Sequence, residues 1–158
     1  MSDAEDDPRL SFVYAEAVRG LTQQQTLVEG MNMRAGSLIF ATAFVNSLLG
    51  NRALSDGLGA FDWLAMAMLF TIGGLVVCMV WPYDQYKFRF APSTLLNQYA
   101  EGKTPVGLPA MHRALALRIE ADMAENWTII QRLRMTLQIA LILLLLNIAT
   151  WMLAIGWA

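Results

Sequence analysis

A chain of 158 residues, 56% hydrophobic and only 15% charged, is more apolar than an ordinary soluble domain and has the length of a single domain. Its net charge of −2 offers phosphate no basic surface, which excludes a nucleic acid polymer as partner. The single cysteine, Cys78, excludes an internal disulfide and any cysteine-cluster metal site, and no cofactor is expected.

Residues 1–7 carry four acids and no base, a solvated tail lacking the basic and apolar regions of a cleavable signal peptide. Over residues 8–33, Leu10, Tyr14, Val18, Leu21, Val28 and Met31 fall near one helical stripe, with Arg9, Glu16, Arg19, Gln23, Gln24 and Glu29 mostly off it. That pattern predicts an amphipathic helix, capped by Asp6 or Asp7 ahead of Pro8. Its apolar face suits a membrane surface or another helix; Gln and Glu on the polar face, in place of Lys and Arg, favour packing.

Residues 35–54 form a first apolar span with Asn46 and Ser47 inside it, and residues 61–81 a second, uncharged after Asp62. The connection NRALSDGLGA is turn-like, so the two make an antiparallel hairpin. Gly36, Ser37, Ala41, Ala43, Ala65, Ala67, Gly73 and Gly74 are small enough to let helices approach closely, within or between subunits. After Pro82 the aromatic and charged segment YDQYKFRFAP opens an irregular lid with a short helix near 93–99. A long helix from about residue 109 follows, with Leu115, Ile119, Met123 and Ile130 on one side. Residues 82–132 thus form an extramembrane lid and helix, partnered by the N-terminal stripe.

Residues 133–158 form the third span. From Met135 to Ala158 there is no Asp, Glu, Lys, Arg or His, and about 20 apolar residues in helix cross a bilayer core of about 30 Å. Arg132 and Arg134 mark its near end, with Trp151 and Trp157 expected at the far headgroup boundary. A buried central helix of a soluble bundle is the other reading of such a run, although those helices are usually shorter. The fold expected is therefore an all-α integral membrane protein of about three transmembrane helices. A version with one early segment only half inserted, and two full spans, is the alternative. Ten of the eleven Lys and Arg residues lie before the first span or between the second and third; Arg52 alone lies in the hairpin loop. The positive-inside rule then puts the N-terminus and residues 82–132 in the cytoplasm and the C-terminus outside.

Few residues suggest chemistry. His112 is the only histidine and reads as solvated or capping rather than as a base. Glu120, Asp122 and Glu125 scatter around a helix, with Arg118 or Arg132 as expected partners. No glycine-rich phosphate loop and no nucleophile with base and acid is visible, so catalytic and metal sites are not expected. Asn46, Asn147 and Thr150 place hydrogen-bonding groups in apolar surroundings. Bonding between helices is the plainer reading of them, and the lining of a polar path or subunit interface the other. The lack of an ionisable residue deep in any span argues against a proton-coupled carrier or voltage sensor.

The order of features, with Asn32-Met33-Arg34-Ala35-Gly36 before SLIFATAFV, Pro82 and YKFRFAPSTLLNQY after the hairpin, and ADMAENWTIIQRLR leading back to the third span, resembles a known group. It is similar to small bacterial membrane proteins related to the transmembrane effectors of the Pycsar and CBASS defence systems. Asn32 and Arg34 stand where that pattern has Asp and Lys, which halves the charge pair. The resemblance implies a non-enzymatic protein of the bacterial inner membrane that forms homo-oligomers. It also implies that the protein perturbs the membrane in antiviral defence, with a cyclic nucleotide as trigger. Arg34, Arg89 and Arg113, with Lys87 and Arg118 nearby, supply the positive charge such a ligand would meet. The alternative is an accessory anchor that holds a separate protein partner at the bilayer through residues 83–90 and the helix after them.

Overall fold

The computed structural model describes residues 7–53, 58–81, 86–88, 92–100 and 106–157. All regular structure among them is helical, with no strand. The elements are α1 (Pro8–Ala53), α2 (Ala60–Val80), α3 (Pro92–Leu95) continuing into a π-helical turn (Leu96–Ala100), and α4 (Leu108–Trp157). Three of them, α1, α2 and α4, are long and apolar enough to cross a membrane. The tail at residues 1–6, Pro82, Arg89, Lys103 and most of the expected lid lie outside the described residues.

The sequence predicts a break between an amphipathic helix at 8–33 and a span at 35–54, yet α1 runs through without one. The physical reason is local. Between Met33 and Gly36 there is no proline, and one glycine costs a helix only about 1 kcal/mol relative to alanine. Asp7 starts α1, its carboxylate accepting the backbone N–H of Arg9 at 3.0 Å and pairing with the guanidinium at 2.8 Å. At the start of α2, Asp62 Oδ2 accepts the backbone N–H of Gly59 at 2.6 Å and closes the first turn.

From Leu21 to Thr42 the buried positions of α1 are Leu21, Gln24, Val28, Met31, Ala35, Leu38 and Thr42, in alternating steps of three and four, and Gly50 is buried further along. Those of α4 from Asn126 through Ile130, Leu133, Leu137, Ala140, Leu144, Asn147 and Trp151 alternate in the same way, with Thr150 also buried. A period of 3.5 residues is the coiled-coil seam, narrower than the stripe of an ordinary surface helix. Val18, expected on the buried stripe, is exposed because Leu21 and Gln24 set the seam instead.

The contacts divide the chain into two compact units. The first combines Met1–Val28 with Tyr83–Ile130. Within it α1 and α4 run parallel: Tyr14 stacks on His112 with ring centroids 5.1 Å apart, and further along Gln24 reaches Met123. Gly20 sits against Met123, where an added Cβ would meet the thioether methyl at 2.9 Å, so the methionine side chain reaches across to α1 there. Ile119 is fully buried in this unit.

The second unit combines Glu29–Pro82 with Gln131–Ala158. Six residues join α1 to α2, and Ala65 of α2 and Asn46 of α1 both meet Asn147 of α4. Ala35, Ala65 and Ala140 are fully buried and hold the close approaches, whereas a Cβ at Gly36, Gly73 or Gly74 would meet nothing within 4 Å. The outer surface is strongly apolar: Phe40 and Phe70 are 76% and 77% exposed, with Phe44, Ile142, Leu145 and Met152 also exposed.

Ile119→Ala is expected to destabilise the first unit by about 2–5 kcal/mol through lost burial and a residual cavity. Amide hydrogen exchange should show this as lost protection at residues 112–126.

Candidate functional site

The densest polar cluster lies inside the second unit. Asn46 Nδ2 donates to the Thr42 carbonyl at 2.7 Å and to Asn147 Oδ1 at 3.1 Å. Asn147 Nδ2 donates to the Ala65 carbonyl at 2.8 Å, and the Trp151 indole N–H donates to Asn46 Oδ1 at 2.8 Å. One side chain from α1 and two from α4 thus bond one another and a backbone carbonyl of α2. Asn147 is fully buried and Trp151 is 2% exposed. Thr150, the third polar residue singled out in the sequence, bonds its own helix at Leu146 O, 2.8 Å, and lies 3.8 Å from Met68 Sδ.

Trp151 departs from its expected place at a headgroup boundary. It faces inward, covering Gly50, whose added Cβ would sit 3.4 Å from the indole. A buried indole needs an acceptor for its N–H, and Asn46 supplies one. Seam spacing could have found it, since Trp151 follows Leu144 and Asn147 at steps of three and four.

In the first unit the polar groups do two different things. Asn126, fully buried, clasps the backbone of Lys87: its Oδ1 accepts the Lys87 N–H at 3.1 Å and its Nδ2 donates to the Lys87 carbonyl at 3.4 Å. The Lys87 ammonium reaches Glu125 at 2.6 Å and Asp122 at 4.0 Å, so Lys87, which the sequence does not single out as their partner, pairs these acids. The hydrogen bond to Glu125, then its charge, hold the Lys87 ammonium above the usual lysine range.

Beside this clasp, α1 and α4 of the first unit leave a cleft of about 560 Å³ between them. Leu10, Ala17, Gln24, Arg113, Met123 and Trp127 are among its lining residues. Gln24 Nε2 donates to the Met123 carbonyl at 3.1 Å, while Gln24 Oε1 is buried with no hydrogen-bond partner. Gln24 was placed off the apolar stripe by its polarity, but its step of three from Leu21 puts it on the seam.

Of the arginines assigned to a ligand, Arg113 is exposed and lines the cleft, and Arg34 is exposed on α1 in the second unit. Arg89 lies outside the described residues. His112 is stacked on Tyr14. Among the described residues no three His, Cys, Asp or Glu side chains come together in a way that would hold a metal ion. Comparison with protein-family models, with characterised proteins and with solved structures gives no match.

Two outcomes follow from these geometries. Asn147→Leu should cost about 1–2 kcal/mol in unfolding, with Asn46 left its local bond to Thr42 and its bond from Trp151. The Lys87 ammonium is charged in folded and unfolded chains at neutral pH, so its stabilising effect is constant there and is lost as pH rises through the raised value. NMR titration of the Lys87 ε-methylene should give a midpoint above that of free lysine, which Glu125→Gln returns to the ordinary range.

Proposed function

We propose that this chain is a three-span membrane protein that acts as a non-enzymatic effector, copies of which associate and perturb the bilayer when the first unit receives a signal. The observation that carries the bilayer placement is the inverted polarity of the second unit. Asn46, Asn147, Thr42 and Thr150 are inside or half-buried, while Phe40, Phe44, Phe70 and Leu145 face out. In water that arrangement exposes far more apolar surface than a soluble unit tolerates; in hydrocarbon it keeps the Asn46, Asn147 and Trp151 bonds inside and leaves the apolar groups in lipid. The distribution of Lys and Arg supports a cytoplasmic N-terminus and first unit, with the C-terminus outside. The effector role itself rests on the likeness of chain order to the Pycsar and CBASS membrane effectors, which also gives the bacterial inner membrane and a cyclic nucleotide as trigger.

A second reading, an anchor for a separate protein, is favoured by the exposed Phe12, Leu27 and Leu108 of the first unit. The two separate in cells. Membrane potential is followed during induced expression, with and without a co-expressed nucleotide cyclase. Depolarisation that depends on the cyclase supports the effector and its trigger, and depolarisation without it keeps the effector and removes the nucleotide. An unchanged potential at verified expression in both arms overturns the effector in favour of the anchor.

A further inference from the structure

Where α1 enters the second unit, two arginines lack an acid to pair with. Arg34 and Arg134 are both exposed, and neither makes an ion pair or hydrogen bond with any described residue. The carboxylates of the unit among those residues are Glu29 and Asp62. Glu29 precedes Arg34 by five residues and is turned about 140° around the helix from it. Asp62 lies one turn before Ala65, which meets Asn147, far along α4 from Arg134.

The packing puts the two arginines at one level and on one side. Within this unit α1 and α4 run parallel, Asn46 meeting Asn147 and Gly50 meeting Trp151 four residues on in each. Arg34 precedes Asn46 by twelve residues and Arg134 precedes Asn147 by thirteen, about 18 and 20 Å of helix. Ala35 comes four residues after Met31 and three before Leu38, which makes it an a position of the seam; Leu133, four before Leu137, is a d position. Arg34 therefore stands at g of α1 and Arg134 at e of α4, and these positions border the same side of a parallel pair. Seven residues further on, Ala41 and Leu141 continue that side without charge, and Leu48 follows, 61% exposed.

Two guanidinium groups directed at one phosphate oxygen cluster give paired N–H donors in fixed planes, which a single charge does not reproduce. The surface beside them belongs to runs, residues 35–51 and 135–158, that contain no charged residue, so its partner is hydrocarbon. We propose that Arg34 and Arg134 bind the phosphodiester of an anionic phospholipid of the phosphatidylglycerol class, whose acyl chains lie along Ala41, Leu48 and Leu141. A cyclic nucleotide carries the same phosphodiester but no chain to cover those residues, so the lipid is the occupant that fits the surface. The site rests on the bilayer placement of the second unit. It makes Arg34 a headgroup ligand and leaves Arg113, in the first unit, to the signal.

The test uses the full-length protein in dodecyl maltoside and native mass spectrometry of retained lipid. The probes are dioleoyl phosphatidylglycerol, dioleoyl phosphatidylcholine, cyclic CMP and cyclic AMP. The expected result is one phosphatidylglycerol held per chain, about fivefold or more tighter than phosphatidylcholine. Arg34→Gln and Arg134→Gln should each weaken it about fivefold. Arg34→Lys, which keeps the charge and loses the planar fork, should weaken it about twofold. Arg132→Gln removes an exposed charge from the same stretch, about 200° around α4 from Arg134, and should leave binding unchanged. All three positions are exposed, so the thermal melt of the lipid-free protein should not move; where a glutamine variant melts lower, Arg34→Lys carries the decision. Equal retention of the two lipids overturns the site, as does the same loss in Arg132→Gln as in Arg134→Gln. Displacement of phosphatidylglycerol by either cyclic nucleotide at equal concentration overturns the lipid in favour of the nucleotide. Binding in detergent is read apart from membrane potential, so a chain that holds the lipid and leaves the potential unchanged removes the effector reading alone. Resistance to carbonate extraction tests bilayer placement separately.

Discussion

The bonds joining Asn46, Asn147, Trp151 and the Ala65 carbonyl set the rotation of three helices at once. Each contributes little energy, about 0.6 kcal/mol on average for such contacts between membrane helices. Their effect is on specificity. Turning α4 by one seam position would take Asn147 away from Ala65 and Asn46, and would leave the Trp151 indole facing an apolar neighbour. An amide buried without a partner costs about 1–3 kcal/mol, more than the bond itself returns. The network therefore rejects wrong rotations more than it strengthens the right one, and the positions of the outward side chains, Phe40 and Phe70 among them, follow from it.

The same economy operates in the first unit with different residues. Gln24 and Asn126 occupy seam positions where an aliphatic side chain would bury more surface. A polar residue at such a position gives up stability and fixes register. Asn126 also uses both ends of its amide on the backbone of Lys87, which draws the ammonium onto Glu125 and holds residues 86–88 against α4. Gln24 uses one end only, its Nε2 donating to the Met123 carbonyl.

Much of this architecture was legible in the chain. The uncharged run after Arg134, the run after Asp62 and the polarity of residues 8–33 give three long helices, and the absence of any proline or glycine from Ala110 to Ile155 gives α4 its length. The misreadings have a common cause. Polarity by itself reads as exposure and tryptophan as an interface. Gln24, Asn126 and Trp151 all violate those rules because the 3.5-residue spacing of their neighbours places them inside. Counting that spacing across polar residues recovers all three. What spacing cannot provide is the partner: nothing in the run of residues says that Asn147 meets Ala65, or that Lys87 meets Glu125. Those pairings depend on which helices lie side by side over separations of 38 to 105 residues.

The indole of Trp151 covers Gly50 and donates to Asn46, so positions 46, 50 and 151 share one small volume and one hydrogen bond. Over evolutionary time the outward positions of the second unit are free to exchange Phe, Leu, Ile and Met with little consequence. These three are not. A larger residue at 50 demands a smaller one at 151, and the loss of the indole in turn frees Asn46 to become aliphatic, provided that Asn147 keeps Ala65. In lineages descended from this chain, substitutions at the three positions should therefore arrive together, as correlated changes against a background of neutral drift.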